Sequence, residues 1–405
     1  MADATHDAPA TGGFLSGLFR SKAGGIAGSK SGLQWAVQIS VAALVLLWLF
    51  PTLGLFVSSF RTADQISSSG WWAALFPAEQ NEVLRVADPD GFRVAEGDGF
   101  VVAGNIFGEP GSKEIIVWGT SSRAIDAYTA GETADLGDGE TLTLQANGDY
   151  EWQGNDDQIS GRAQRIFLTA AAPPDFTTEN YNNILFSDDN AENMAKAFFN
   201  TLTVAIPATI IPVLIAAFAA YALAWMDFPG RALLIACVVA ALVVPLQLAL
   251  IPLLKLHVGI GIGKGYLGVW LAHTGFGMPL AIYLLRNYMV GLPRDIIENA
   301  RVDGATDFQI FVKIILPLSF PALASFAIFQ FLWTWNDLLV ALVFLIDASG
   351  ETTVMTKQIV ELLGTRGGNW EILATAAFVS IAVPLLVFFS MQRFLVRGLL
   401  AGSVK

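Results

Sequence analysis

The sequence predicts a polytopic α-helical membrane protein with six transmembrane helices and a small antiparallel β domain inserted after the first helix. Of the 405 residues, 54% are hydrophobic and only 14% are charged, whereas soluble domains carry about 25% charged residues. Six charge-free stretches exceed the roughly 18 residues that indicate a transmembrane helix. Between the first two stretches, short runs bounded by turn dipeptides indicate strands instead.

The six charge-free stretches lie at 31–60, 197–226, 232–254, 265–285, 314–336 and 372–392. Lipid offers the backbone no hydrogen-bond partners, so each stretch is predicted to be a helix. The prolines within these stretches fit either kinked helices around a pathway or the ordinary frequency of proline in membrane helices. The first is too long for the apolar core of a signal peptide and is predicted to be a retained anchor.

The charges are unevenly distributed along the chain. Residues 61–195 hold 23 Asp and Glu against 7 Lys and Arg, a net charge of −16, and the rest of the chain is at +4. This balance argues against nucleic-acid binding. Basic residues in short loops mark the cytoplasmic side, so both termini are predicted to be cytoplasmic and the acidic block extracytoplasmic. The single cysteine, Cys237, allows no internal disulfide.

These observations predict five regions. Residues 1–32 form a cytoplasmic tail, 33–60 the first transmembrane helix, 61–195 an extracytoplasmic acidic insert and linker, 196–396 the other five helices, and 397–405 a second cytoplasmic tail.

Strands are predicted in the insert at 92–95, 100–103, 114–118, 141–145 and 165–169. The dipeptides Asp90-Gly91, Asp98-Gly99, Asp138-Gly139 and Asn147-Gly148 suit the positive-φ positions of tight hairpins. The acidity of the insert fits two roles, which are solubility and docking of an external partner.

The most informative loop spans residues 292–317, before the fifth apolar stretch. Pro293 suits a helix start, acids in the first turn suit the helix dipole, and Gly304 suits a helix end. A short amphipathic helix is predicted, with Ile297, Ala300 and Val302 available for packing. From spacing alone, this segment fits a helix lying at the membrane interface.

This loop resembles the EAA loop of ABC importer permeases, whose pattern is E-A-A-x3-G-x9-I-x-L-P. Glu298-Asn299-Ala300, Gly304 and the run Ile314-Ile315-Leu316-Pro317 match it, and Asn299 departs from it. Outside the insert, several motifs are similar to carbohydrate permeases of the maltose-transporter class, in particular its MalG-type subunit. They are Phe50-Pro51, Ser58-Ser59-Phe60-Arg61, Asn200-Thr201-Leu202, Ala220-Tyr221-Ala222, Trp335-Asn336-Asp337 and the terminal run 397–405. The enlarged first external loop is similar to that of permeases from α-glucoside importers.

The resemblance implies a complex in the bacterial inner membrane that contains a second, MalF-like permease, two ATPase subunits and an extracytoplasmic sugar-binding protein. Its ATPase-coupling residues would be Glu298, Asn299, Ala300, Asp303, Gly304 and Ala305, with Glu298 pairing with an ATPase arginine. The C-terminal residues Gly398, Gly402, Ser403 and Lys405 would reach between the ATPase subunits. An external loop with Gly364, Arg366, Gly367 and Gly368 would touch the binding protein, whereas from composition alone it fits a flexible linker.

The chain itself is predicted to be non-catalytic. It has no G-x-x-x-x-G-K-[ST] phosphate loop, so ATP and Mg would bind to the partner ATPase. His6, His257 and His273 are too scattered along the sequence for a metal site or a catalytic role. We therefore expect this chain to bind no cofactor.

Polar and aromatic residues in or near the apolar stretches are candidates for the substrate path: Gln247, Tyr283, Gln330, Trp333, Trp335, Asn336 and Asp337. Aromatic rings beside polar groups suit contacts with sugar faces. An interfacial aromatic belt or hydrogen bonding between helices is the simpler explanation of these residues.

The leading functional prediction is a permease subunit for ATP-driven uptake of a di- or oligosaccharide, such as an α-glucoside of the maltose, trehalose or sucrose type. One alternative is an ABC permease for another solute, such as a polyol or glycerol phosphate. A second is an ion-coupled secondary transporter, which would need carboxylates inside the membrane. A third is a membrane-anchored sensor, which has no need for six spans.

Overall fold

The computed structural model describes residues 32–108, 111–186, 193–346, 349–365 and 367–400. The α-helices within these residues are α1 Gly32–Ser58, α2 Ala63–Ser68, α3 Pro89–Phe92, α4 Glu179–Leu185, α5 Met194–Trp225, α6 Arg231–Ala241, α7 Leu246–Gly259, α8 Tyr266–Val290, α9 Arg294–Val302, α10 Asp307–Ile310, α11 Leu316–Leu318, α12 Phe320–Trp335, α13 Leu339–Phe344, α14 Met355–Thr365 and α15 Trp370–Leu400. The chain divides into two units after Leu53. The first unit contributes most of α1, a largely exposed apolar helix.

Among the described residues, four helices are long and apolar enough to cross a membrane, namely α1, α5, α8 and α15. Two further pairs qualify only if each is counted as one bent span. Helix α6 meets α7 at 111°, and the segment Asp307–Leu318 meets α12 at 71°. Each of the predicted stretches at 232–254 and 314–336 is therefore two helices joined at a sharp bend.

Prolines account for both breaks. Pro245 is the N-cap of α7, and a proline disfavours helical backbone at the residue before it. Pro317 and Pro321 lie on either side of Ser319, where the second break falls. Neither proline has an N–H to donate to the carbonyl four residues earlier. A π-helical turn at Phe311–Ile315 precedes the second break.

The long apolar helices pack around an alanine-rich face of α5. Ala216, Ala217 and Ala220 are buried there in one cluster with Ala281 and Leu285 of α8. Small side chains let two helix backbones approach closely, which is the usual basis of helix packing in membranes.

The insert between α1 and α5 contains two antiparallel sheets. Their strands are β1 Ala78–Arg85, β2 Val94–Glu96, β3 Gly99–Asn105, β4 Glu114–Gly119, β5 Tyr128–Thr129, β6 Thr133–Gly137, β7 Glu140–Leu144, β8 Asp149–Gly154 and β9 Arg165–Ala172. One sheet has the order β1-β9-β4-β5 and the other β2-β3-β8-β7-β6. The prediction of an antiparallel strand-rich insert is confirmed, and four of the strands (β1, β5, β6 and β8) were not predicted.

The two sheets share one apolar core. Its largest fully buried side chains are Trp118, Leu142, Leu144, Ile159, Ile166 and Leu168, and Trp152 is almost completely buried. In β9 every second residue is buried, as expected for a strand with one face against a core. The first and last strands pair along their full length, so Ala78 lies opposite Ala172.

Two of the four predicted turn dipeptides occupy positive-φ positions. Asp138 and Gly139 have φ of 52° and 84° between β6 and β7, and Gly148 has φ of 91° between β7 and β8. At the β2–β3 hairpin, Glu96 pairs with Gly99, so the turn residues are Gly97, with φ of 60°, and Asp98. The placement of Asp98-Gly99 was wrong by one residue. Asp90-Gly91 lies within α3 and needs no positive φ.

Candidate functional site

Helix α9 has well-defined ends. It follows Pro293, and Asp295 lies in its first turn, where a carboxylate is favoured by the helix dipole. At its other end, the N–H of Ala305 donates to the carbonyl of Ala300 and the N–H of Gly304 to that of Arg301, both at 3.0 Å. With Gly304 at φ of 80°, this is a Schellman motif. The predicted helix end at Gly304 is confirmed.

One face of α9 is anchored in the apolar core of the helix bundle. Ile297 is 1% exposed and joins a cluster with Met289, Ile310 and Phe311, against which Ala300 and Ala305 also pack. Burying such a side chain contributes about 1.5 to 3 kcal/mol. The short helix is therefore held against the membrane helices by a side chain that points inward.

The opposite face of α9 is exposed and carries Glu298 and Asn299. Val302 is 87% exposed, so the expectation that it packs inward was wrong. Five residues separate it from Ile297, which turns it by about 140° around the helix. Phe308, beyond the turn, is also 66% exposed. These two apolar side chains belong to the surface of the segment, and sequence reasoning did not assign them to it.

Polar bonds fix the turn after α9. Arg301 Nη2 lies 3.2 Å from Asp307 Oδ1 and donates at 3.4 Å to the carbonyl of Trp225, at the end of α5. Tyr221 OH of α5 donates to the same Asp307 oxygen at 3.3 Å. The next helix starts with a capping box, in which Thr306 and Gln309 each accept from the backbone of the other. The segment is thereby tied to α5.

Within the part of the chain that the structure describes, Glu298 makes an ion pair with Arg294. Its Oε1 lies 2.8 Å from Nε of Arg294, one turn earlier, and both side chains are more than half exposed. An exposed pair of this kind contributes only about 0.3 to 0.5 kcal/mol. The carboxylate can therefore exchange this arginine for another cation at little cost.

The candidate substrate-path residues do not converge on one site in this structure. Gln330 and Trp335 are buried, and Tyr283 lines a cavity of about 50 Å³ beside α6. Gln247, Trp333 and Asn336 are exposed. Their contact with a sugar stays a prediction.

The buried members of this set make structural bonds. Gln330 Nε2 donates to the carbonyls of Ala208 and His273 at 3.1 and 3.4 Å, which joins α12 to α5 and α8. Trp335 Nε1 donates to the carbonyl of Ser380 at 3.0 Å. Asp337 Oδ2 accepts from the N–H of Val340 at 2.9 Å and so caps α13. The same carboxylate oxygen lies 3.8 Å from Nε2 of His273.

The other predicted contact residues are only partly within the described chain. Gly364 lies in α14, and Gly367 and Gly368 are exposed in the turn that follows. Gly398 lies in the last turns of α15. Arg366, Gly402, Ser403 and Lys405 lie outside the described residues.

Bent apolar helices with a short, capped helix in the loop before a span are the features expected of a membrane-integral ABC transporter permease. Residues 198–400 match the family described as binding-protein-dependent transport system inner membrane component, and the chain belongs to this family. The match covers helices α5 to α15.

Three relatives illustrate the similarity. An alpha-glucoside transport system permease of Rhizobium meliloti is 59% identical over 93% of this chain and 98% of its own length. An osmoprotective compounds uptake permease of Synechocystis is 56% identical over 62% of this chain and 82% of its own length. A trehalose transport system permease of Mycobacterium tuberculosis is 34% identical over 58% of this chain and 84% of its own length.

Only the first of these three alignments must include the β insert. It leaves out 7% of this chain, which is less than the length of the two sheets. The 249 residues aligned with the Synechocystis protein make up 82% of it. That relative is therefore about 300 residues long and some 100 residues shorter than this chain.

Proposed function

We propose that this chain is one of two permease subunits in an ATP-driven, binding-protein-dependent importer of α-glucosides, and that it forms half of the translocation pathway. The observation that carries the proposal is its 59% identity over almost the entire length of an alpha-glucoside permease. The trehalose permease among its relatives supports the same class of substrate, because trehalose is itself an α-glucoside.

In this proposal, the surface of α9 and its following turn docks on a cytoplasmic ATPase. Glu298 exchanges Arg294 for an ATPase arginine, and the exposed Val302 and Phe308 enter an apolar cleft. The buried Ile297 and the bonds of Arg301 and Asp307 transmit the displacement of this surface to α5. A short helix with both ends fixed suits such transmission because it does not absorb motion.

The proposed topology counts each bent helix pair as one span, which gives six spans with both termini in the cytoplasm. The β insert then faces the extracytoplasmic side, as do α14 and its glycine turn. The partners are a second permease, two ATPase subunits that bind ATP and Mg, and an extracytoplasmic sugar-binding protein.

Reconstituted transport tests the substrate class. The chain is placed in liposomes with its partner permease, ATPase and binding protein, and uptake of maltose, trehalose and sucrose is compared with uptake of a polyol and of glycerol phosphate. We expect uptake of at least one α-glucoside that requires ATP. Uptake of only the polyol or glycerol phosphate would assign another solute, and uptake without the ATPase would reject the ABC mechanism.

A charge reversal tests the coupling surface. Glu298→Lys is expected to leave membrane insertion intact and to abolish co-purification of the ATPase. Glu361→Lys is a matched control, because Glu361 makes a 2.8 Å i,i+4 pair with Lys357 on α14. Equal ATPase recovery with both variants would contradict the assignment of α9.

A further inference from the structure

A short apolar segment between α1 and the β insert is strongly exposed. It runs from residue 70 to 76 with the sequence Gly-Trp-Trp-Ala-Ala-Leu-Phe and contains a 3₁₀ turn at Trp71–Ala73. Trp72, Leu75 and Phe76 are 68%, 77% and 67% exposed. We call residues 70–76 the WWAALF segment. Three neighbouring large side chains with this exposure are unusual unless another phase or partner covers them.

The WWAALF segment lies beside the last turns of α1. A Cβ atom built on Gly54 would lie 2.7 Å from Nε1 of Trp71, so the indole packs directly on the helix backbone there. Gly54 precedes the end of α1 at Ser58 by four residues, or about 6 Å along the helix axis. A bilayer crossed by the membrane-spanning candidate α1 would therefore end near this indole.

The charge pattern also singles out the WWAALF segment. No charged residue occurs between Asp64 and Glu79, although residues 61–195 contain 23 acids. The first strand begins at Ala78, with only Pro77 between it and the segment. A charge-free run containing two tryptophans, a leucine and a phenylalanine has the composition of an interfacial anchor.

Other exposed aromatic residues lie near the same end of the helix bundle. Trp370, at the start of α15, is 62% exposed, and Phe186, just after α4, is 74% exposed. Both helices are level with the end of α1. Thr375 Oγ1 of α15 and Asn180 Nδ2 of α4 each donate to the carbonyl of Ser59, at 3.2 and 3.0 Å.

We propose that the WWAALF segment lies in the headgroup region of the bilayer and anchors the base of the β insert to the lipid surface. The preference of indole rings for the membrane interface supplies the attraction. Because β1 follows without a linker, this contact also restricts the tilt of the two sheets relative to the membrane.

Depth-dependent quenching tests the proposal. In a Cys237→Ser background, Leu75→Cys is labelled with an environment-sensitive NBD probe, and Phe92→Cys is the control. Phe92 is 63% exposed in α3 of the β insert. Each full-length chain is placed in phospholipid nanodiscs together with the subunits that co-purify with it. Quenching is measured with iodide in the water and with a nitroxide attached to the lipid.

At position 75 we expect a shift of emission to shorter wavelength, loss of iodide quenching and gain of nitroxide quenching, with the opposite pattern at position 92. Equal iodide quenching at both positions would overturn the proposal. Protection of position 75 from both quenchers would also overturn it, because a protein surface would then cover the segment. Phe76→Cys provides a second labelling site if the Leu75 variant is not recovered.

Discussion

Arg301 and Asp307 form an ion pair across the turn that ends α9, with Nη2 and Oδ1 3.2 Å apart. The pair is not isolated, because Tyr221 of α5 donates to the same Asp307 oxygen and Arg301 also donates to the carbonyl of Trp225. A force applied to the exposed face of α9 therefore reaches the end of α5 through polar bonds as well as through apolar packing.

The apolar anchor of α9 can be tested with two adjacent isoleucines. Ile297→Ala removes a side chain that is 1% exposed, and we expect a loss of about 2 to 5 kcal/mol in the free energy of unfolding. Ile296, which is 40% exposed, is the control, and its replacement by alanine should cost much less. Thermal unfolding of the purified chain in detergent measures both. Equal destabilisation would show that α9 is not anchored through Ile297.

Substitutions at Gly304 should lower stability because of its left-handed backbone conformation and not because of a steric clash. Its φ is 80°, and an added Cβ would meet nothing within 4 Å. Gly304→Ala is expected to cost about 1 to 2 kcal/mol, the price of left-handed backbone for a residue with a Cβ. Gly304→Asn should retain more stability and more ATPase association, because asparagine adopts this conformation more readily. Equal loss with both substitutions would indicate a steric or contact role instead.

The packing of Gln330 against α8 depends on a glycine. A Cβ added to Gly277 would lie 2.5 Å from Oε1 of Gln330, whereas one added to Gly275 would meet nothing within 4 Å. Gly277→Ala should displace the glutamine from its bonds to Ala208 and His273 and lower the melting temperature. Gly275→Ala should be neutral or stabilising by up to about 1 kcal/mol, because alanine favours a helix. A melting temperature for Gly277→Ala at or above that of Gly275→Ala would contradict this packing.

Protonation of Asp149 in acid should lower the stability of the β insert. Asn105 Nδ2 and Asn147 Nδ2 donate to its carboxylate at 2.9 and 2.6 Å, and these bonds lower the pKa of Asp149 below its ordinary value. A lowered folded-state pKa means that the stabilisation is complete above the unfolded pKa of about 3.9 and is lost as the pH falls through the folded pKa.

Urea unfolding of residues 77–173 at several pH values measures this effect. Asp149→Asn should flatten the decline in stability below about pH 4, while Asp126→Asn serves as the comparison. An unchanged acid profile in Asp149→Asn would show that these bonds do not contribute to the pH dependence.

The β insert should be removable without disturbing the helices. Ala78 and Ala172 are paired neighbours in an antiparallel ladder, where paired Cα atoms lie about 4.5 to 5.5 Å apart. Deleting residues 79–171 and joining the ends with a short Gly-Ser bridge should preserve membrane insertion and ATPase co-purification. Loss of insertion would contradict structural independence, and full transport by this variant would reject an essential docking role for the insert.

Sequence reasoning succeeded where composition alone constrains the fold. A charge-free run of 20 or more residues has few alternatives to a membrane helix. The turn dipeptides between short apolar runs predicted the strand-rich insert. Strand β8 was not predicted, although acidic and aromatic residues alternate along Asp149–Trp152. Its two acidic residues made the segment resemble a polar loop, whereas its aromatic residues form a buried face. Pro245 and the prolines near Ser319 indicated kinked helices as one interpretation, but the sequence did not decide the matter, because prolines also occur in intact membrane helices.

The candidate site likewise has features that local sequence predicts and features that depend on contacts distant in sequence. The helix end at Gly304 follows from local backbone chemistry and was predicted. The outward direction of Val302 depends on the rotational position of α9, which the buried Ile297 determines through contacts distant in sequence. The buried bonds of Gln330 and Asp337 likewise involve helices far apart along the chain.

The pairing of Ala78 with Ala172 also bears on how this chain could have arisen. A coding sequence inserted where its product begins and ends at neighbouring points leaves the surrounding structure in place, so one recombination event can add or remove the whole unit. The Synechocystis relative, about 100 residues shorter yet 56% identical where it aligns, is consistent with such a history. Selection could therefore act on the two sheets separately from the pathway beneath them.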